Sequence, residues 1–220
     1  MGEIAQQIEE LRLCALDCPI CDLSKTRTNV VFGEGNPETP LVIVGEGPGQ
    51  NEDATGRPFV GRAGTLLDQA LLENNLTRKH VYIMNVVKCR ACIIENGRTR
   101  NRPPSTAEIS ACSTWLEKQL AIIKPTVVLC LGAPSAKSII RGNFRMTQER
   151  GQFFESKYAP HAIAALHPAY ILRQDGQTYQ VTRQQLVDDI GAARRKVVEV
   201  RKAAKLSSDQ QVALPQTLLE

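Results

Sequence analysis

Two features of this sequence have the residue types for chemistry. The first is the stretch GEGPGQNEDATGRPFVG, Gly45 to Gly61, directly after the apolar run Leu41–Val44. The second is a set of seven cysteines: Cys14, Cys18, Cys21, Cys89, Cys92, Cys112 and Cys130. A glycine loop after a strand suggests a phosphate site, but this one suits phosphate poorly. It lacks the Lys-Ser/Thr ending of a P-loop, its G-x-G-x-x run closes on Asn51, and Glu46, Glu52 and Asp53 would repel a pyrophosphate. Backbone amides, a carboxylate and the aromatic Phe59 better suit a small planar polar ring, stacked by the Phe and read by the amides. Cys18 and Cys21 form one C-x-x-C pair and Cys89 and Cys92 another, with Cys112 further on. In a reducing compartment such clusters mean metal or catalysis more often than disulfides. Four thiolates suit zinc or an iron–sulfur cluster, and spacing alone does not choose between them.

The elements that must position these groups can be read from periodicity. Strands are expected at Leu41–Val44, Val81–Val87, Thr126–Leu131 and His161–Leu166, which are short β-rich apolar runs bounded by turn residues. Helical patterns lie between them, at about 63–74, 106–123 and 133–140. In the second, Ser105 and Glu108 form a capping box and Ile109, Cys112, Leu116, Leu120 and Ile123 share a face. An amphipathic helix carrying Ile4, Ile8 and Leu11 precedes the strands, and a basic helix over about 180–205 follows them. Alternating strand and helix predicts an α/β fold with a parallel sheet covered on both faces. The whole reads as a single domain over 1–205 with a polar, loose tail at 206–220. In such a sheet ligands bind beyond the carboxyl ends of the strands. Glu46, Asn85 and His167 stand there. Each has a plainer use taken singly: a solvated carboxylate, a strand-end cap, a structural histidine, and for Phe59 a loop plug. Their shared place at the ends of neighbouring strands is what favours a site.

Composition bounds the function. A chain of 220 residues with 42% hydrophobic content fits a globular protein with a real core. No apolar run approaches the roughly 18 residues of a membrane span, and no basic segment followed by an apolar core opens the chain. Gln6 stands where an N-myristoylation signal carries Ser or Thr. A cytoplasmic protein is therefore expected. The net charge of +4 is unevenly placed: residues 141–205 hold twelve Lys/Arg against six Asp/Glu. Lys88, Arg90, Arg98, Arg100 and Arg102 stand against Glu95 alone over 87–102. This distribution suits an anionic partner such as nucleic acid, or simply a solvated surface.

The motifs GEGPGQNEDATGRPFVGRAGTLL, NVVKC, NRPPS with AC downstream, LGA and HPAY occur in that order. Together they resemble the family 4, iron–sulfur uracil-DNA glycosylases, from about Cys18 to Arg173. The resemblance implies a three-layer α/β/α sandwich with a central four-stranded parallel sheet. It implies a structural [4Fe–4S] cluster on Cys18, Cys21, Cys89 and Cys112, with Cys92 the nearest rival and Cys130 a buried core residue. It implies a monomeric DNA repair enzyme that flips uracil out of single- or double-stranded DNA, hydrolyses its N-glycosidic bond and leaves an abasic site for base excision repair.

The roles that follow are carried over by motif. Phe59 would stack on the ring, with Gly45, Gly47 and Gln50 beside it. The Asn85 amide offers a donor to O4 and an acceptor to N3–H, the reverse of what cytosine matches. His167 would donate to O2 as negative charge develops there, Glu46 would stabilise the cationic sugar or orient water, and Asn101 would stand beside the attacking water. Arg102 and Arg173 would meet phosphates, and Ile171 and Leu172 would fill the vacated stack. No lysine stands in these motifs as a nucleophile, so a monofunctional enzyme is expected. Two departures matter. Gln50 stands where the family carries an acidic residue. The stretch from Cys89 to Cys112 is longer than usual, with ACIIENG inserted. A related branch with a long basic loop becomes covalently linked to the abasic site through a histidine; Asn101 occupies that position here, so turnover is expected. A base range shifted toward hypoxanthine or xanthine, or covalent trapping, is the alternative. Outside this family, a zinc-bound DNA-binding module and a nucleotide-binding α/β protein are the competing readings. Brown colour and release of uracil separate them.

Overall fold

Four apolar runs meet as the parallel centre of one sheet in this computed structural model, which describes residues 2–212. They are β2 (Leu41–Gly45), β3 (Tyr82–Asn85), β6 (Val127–Leu131) and β8 (Ala159–Ala165), all close to the runs predicted from sequence. The sheet has six strands rather than four, in the order β1 (Glu34–Gly35), β3, β2, β6, β8 and β7 (Phe153–Ser156). The extra two, β1 and β7, are edge strands that pair antiparallel with β3 and β8. A separate two-stranded hairpin, β4 (Cys92–Glu95) with β5 (Arg98–Asn101), lies in the long stretch between Cys89 and Cys112.

Alternation along each strand builds two cores. Val42 and Val44 on β2 face one way, with Met84, Val128 and Ala162. Helices α1 (Glu3–Leu16), α4 (Thr106–Ile123) and α5 (Ala133–Ile139) cover that side, through residues such as Ile8, Leu116 and Ile139. Leu41 and Ile43 face the other way, with Ile83, Leu129 and Ile163. There α3 (Arg62–Glu73), α7 (Pro168–Ile171) and α8 (Gly176–Val212) pack through Leu67, Ile171 and Leu186. Strands buried on both faces read as continuous apolar runs, which is why they were legible. The result is an α/β/α sandwich. The short α2 (Gln50–Thr55) and α6 (Met146–Glu149) lie in connections. The predicted capping box holds: Ser105 Oγ accepts the Glu108 N–H at 3.2 Å and the Glu108 carboxylate accepts the Ser105 N–H at 2.7 Å. Helix α8 continues past Leu206, where a loose tail was expected; the rest of that stretch, from 213, lies outside the described residues. Among the described residues no helix is long and apolar enough to cross a membrane.

Candidate functional site

A cavity of about 220 Å³ opens at the carboxyl ends of β2, β3 and β8, lined by Glu46, Phe59, Asn85, Asn101 and His167 among others. Its size suits a single ring better than a drug-sized ligand. In-register pairing of Gly45 with Asn85 on neighbouring strands places the Glu46 loop and the Asn85 side chain together. The backbone pairing continues past the strands, with the Val86 and Val87 amides donating to the Gly45 and Glu46 carbonyls. Asn85 is 2% exposed, and its Oδ1 is buried without a hydrogen-bond partner among the described residues. Such an orphan acceptor is costly unless a ligand satisfies it. Gly45 has to be glycine: a Cβ there would lie 2.4 Å from Asn85 Oδ1 and 2.5 Å from the Phe59 ring.

Phe59 forms one wall and is 6% exposed. Its backbone is left-handed, φ 53°, an unfavourable setting for a bulky residue. Three groups hold it there. Arg78 donates to the Pro58 carbonyl at 2.9 Å and to the Phe59 carbonyl, while its Nε binds Asp68 at 2.8 Å. Glu52 Oε1 accepts the Val60 and Gly61 amides at 2.9 and 3.1 Å, and its Oε2 accepts the Gly49 amide at 3.1 Å. Gly64 on α3 lets the loop approach: a Cβ there would sit 1.7 Å from the Phe59 carbonyl oxygen.

His167 faces Phe59 with ring centroids 5.8 Å apart. It opens α7, and its Nδ1 accepts the Ala169 N–H at 3.1 Å. A ring nitrogen that accepts is unprotonated, so the neutral tautomer carries its proton on Nε2. Burial, with Arg173 nearby, pushes the imidazole pKa down to about 4 and keeps the ring neutral. Burial pushes the Glu46 carboxyl upward. Asn101, at the end of β5, lines the cavity with Oδ1 accepting from Arg90 Nε at 2.6 Å.

Other predicted residues fall elsewhere. Gly47 lines the cavity, whereas Gln50 starts α2 and is exposed. Ile171 is a correction: at 0% exposure it is packed into the core beneath α7 and cannot enter a base stack. Leu172 is partly buried against the same core, and Arg173 is exposed. Arg102 reaches the cavity, but its guanidinium grips Glu108 through bonds of 2.6 and 2.7 Å, tying the NRPP segment to the start of α4. Sequence reading missed the supporting layer: Glu52, Arg78, Arg90 and Lys88. The Lys88 side chain is 1% exposed and donates to the Asn85 carbonyl at 2.7 Å. Arg78 meets Pro58 and Phe59 only through the fold, Arg90 meets Asn101 from the other side of the hairpin, and Glu52 and Lys88 bind nearby backbone groups that leave no side-chain pattern to read. The hairpin had a readable signal, Asn96-Gly97 between β-rich runs.

Cys18, Cys21, Cys89 and Cys112 line one small apolar cavity between the Cys18–Cys21 turn, the Lys88 segment and α4. Donors point at their sulfurs: Trp115 Nε1 to Cys18 at 3.2 Å, Arg27 to Cys89 at 3.5 Å and the Lys88 amide to Cys112 at 3.2 Å. Burial pushes the Cys89 thiol up to about 11 and the Cys112 thiol upward, so thiolates there need cationic compensation. Among the described residues, no group of three or more His, Cys, Asp or Glu could hold a metal ion. A multi-iron cluster asks for something different, because each cysteine binds its own iron around a shared core. Four sulfurs around an apolar hollow, with N–H donors behind them, fit that demand. Cys92 lies in the hairpin beside Arg102, Cys14 is exposed, and Cys130 is fully buried in β6.

Residues 32–191 match the family model described as the uracil DNA glycosylase superfamily. The chain is 45% identical over 157 residues to a type-4 uracil-DNA glycosylase of Thermotoga maritima, covering 71% of this chain and 78% of that one. It is 42% identical over 173 residues to a type-4 uracil-DNA glycosylase of Sulfurisphaera tokodaii, covering 75% and 76%. A type-5 uracil-DNA glycosylase of Thermus thermophilus is more distant, at 27% over 185 residues.

Proposed function

The chain belongs to the uracil-DNA glycosylase superfamily, and from that premise we propose that it hydrolyses the N-glycosidic bond of uracil in DNA and releases an abasic site for base excision repair. The observation that carries this reading is the buried, unpartnered Oδ1 of Asn85, a residue that lines a one-ring cavity with Phe59. Uracil N3–H would satisfy that acceptor, and the Asn85 amide would donate to uracil O4. Cytosine presents an acceptor at N3 and an amine at C4, so each contact reverses and binding is lost. The base must leave the duplex stack to reach this pocket. Phe59, fixed by Arg78 and Glu52, would stack on it.

Bond cleavage puts positive charge on the sugar and negative charge on uracil O2. The neutral His167 would donate its Nε2–H to O2 and strengthen that bond as the anion forms. A single such donor in a dry site contributes roughly 3–4 kcal/mol. Glu46 would stand by the cationic sugar and orient water, with Asn101, held by Arg90, beside that water. Among the described residues no lysine lines the cavity, and the Lys88 ammonium is turned to the Asn85 carbonyl. Hydrolysis without strand cleavage is the consistent outcome.

We assign a [4Fe–4S] cluster to Cys18, Cys21, Cys89 and Cys112. When bound it ties the N-terminal segment and α4 to the Lys88 segment behind Asn85 and takes no part in the reaction. The test of base recognition is single-turnover cleavage of matched oligonucleotides holding uracil, cytosine or hypoxanthine. Wild type should act on uracil, and Asn85→Ala should lose about a hundredfold or more on uracil alone. Equal action of wild type on hypoxanthine and uracil, unchanged by Asn85→Ala, would show that Asn85 does not read the base.

A further inference from the structure

We propose that the β4–β5 hairpin is a DNA-binding arm, and that its exposed Ile94 fills the gap left in the duplex when a base enters the cavity. The proposal rests on the DNA glycosylase reading of the cavity and assigns the strand contact that reading lacks. With Ile171 sealed in the core and Leu172 packed against it, the vacated stack lacks an exposed aliphatic residue from α7 and its C-cap, and Ile94 near the cavity mouth can supply one. The hairpin rises from that mouth: Ala91 before β4 and Asn101 at the end of β5 both line the cavity.

Register decides what the arm presents. Cys92 pairs with Asn101 and Ile94 with Thr99; Ile93 pairs with Arg100 and Glu95 with Arg98. Cross-strand partners share a face, and successive residues alternate. Ile94 and Thr99 therefore lie on the face that carries Asn101. Ile94 is 65% exposed. The opposite face carries Arg98 and Arg100, both exposed, with Arg100 paired to Glu95 at 2.6 Å. Both members of that pair are more than half exposed, so the ion pair is weak and a phosphate can replace the carboxylate. The Asn96-Gly97 turn has φ 50° and 71°, the two-residue geometry that fixes a hairpin's register. An apolar residue on the pocket side and guanidinium groups on the other is the layout of a wedge that enters a base step while its flanks hold phosphates. A duplex DNA strand is thus the occupant that both the charge and the continuity with the cavity select.

The experiment uses the full-length, cluster-loaded protein with two readouts. One is binding to a duplex carrying tetrahydrofuran, a stable abasic analogue, across a salt series. The other is single-turnover cleavage of uracil in duplex and in single strands. Ile94→Ala should lower the duplex-to-single-strand rate ratio about tenfold, and Ile94→Leu should restore it. Arg98→Ala should reduce the slope of log affinity against log salt by about 1. Both positions are exposed, and thermal melts check that the variants fold. Wild-type ratio and wild-type slope in these variants would overturn the proposal. So would a loss in Tyr170→Ala with none in Ile94→Ala, because Tyr170 is a large exposed side chain three residues past His167. If wild type released no uracil while the hairpin variants still weakened duplex binding, the arm would stand and the glycosylase reading would fall.

Discussion

At the residue scale the site is a set of groups whose states are fixed before substrate arrives. His167 is held neutral by burial and by the amide that its Nδ1 accepts. Its pKa of about 4 lies below the ordinary imidazole value of about 6.5. The sign follows: the neutral donor persists through neutral pH and is lost only as pH falls through about 4. Burial raises the Glu46 carboxyl above its ordinary value, so its carboxylate is lost at a higher pH than that of a free glutamate. We expect kcat/KM for uracil release to fall toward acid pH, with His167 contributing only near pH 4. An inflection near pH 6.5 that vanishes in His167→Ala would contradict the assigned tautomer. His167→Ala itself should cost about 10²–10³-fold in the single-turnover rate. Asn85 and His167 were legible because strand ends are where a parallel sheet places ligands. Glu52 and Arg78 were not, because their work is to hold backbone groups of Phe59 and its neighbours, which only the fold brings near.

At the element scale, close approach between elements sets the site. Helix α3 presses on the Phe59 loop through Gly64, where no Cβ fits. Gly64→Ala should destabilise the protein by about 1–3 kcal/mol, measured by chemical denaturation, and should weaken uracil release by displacing Phe59. A stable, fully active Gly64→Ala would show that the loop position is not set by this contact. The start of α4 behaves differently. Arg102, the Ser105 amide and the Ser105 hydroxyl hold Glu108 down to a pKa of about 2. Its contribution to stability is full above the unfolded carboxylate pKa of about 4.5 and is lost as pH falls through about 2. In Glu108→Gln the loss of stability across that acid window should be smaller than in wild type; an unchanged profile would remove Glu108 from the account. The helix and its cap were readable because Ser105 and Glu108 are three residues apart. Edge strands β1 and β7 were not, because two or four partly exposed residues leave no alternating apolar run. The hairpin was read only as an insertion, although Asn96-Gly97 marks its turn.

At the scale of the whole molecule, two sites are joined through one segment. Cys89 lies in the cysteine cavity, Lys88 reaches the Asn85 carbonyl, and Asn85 lines the ring-sized cavity. A cluster on the four cysteines would therefore fix the back of the base pocket as well as the N-terminal segment. Cys112→Ser should abolish the brown iron–sulfur absorbance and lower the melting temperature, whereas Cys92→Ser and Cys14→Ser should leave the colour intact. Loss of colour in Cys92→Ser with retention in Cys112→Ser would reassign the fourth ligand. Spacing could not separate Cys92 from Cys112, because Cys112 arrives from a helix and Cys92 departs into the hairpin only once the chain is folded.

The most direct test of the central claim is single-turnover reaction of the purified protein with a labelled oligonucleotide containing one uracil. Free base is measured by mass, and the strand is run on denaturing gels with alkali-treated and unheated lanes. The account predicts free uracil, a strand break only after alkali, and no shifted band. A protein-shifted band would mean that a residue near Asn101 traps the sugar, and absence of free uracil would contradict hydrolysis of the glycosidic bond altogether.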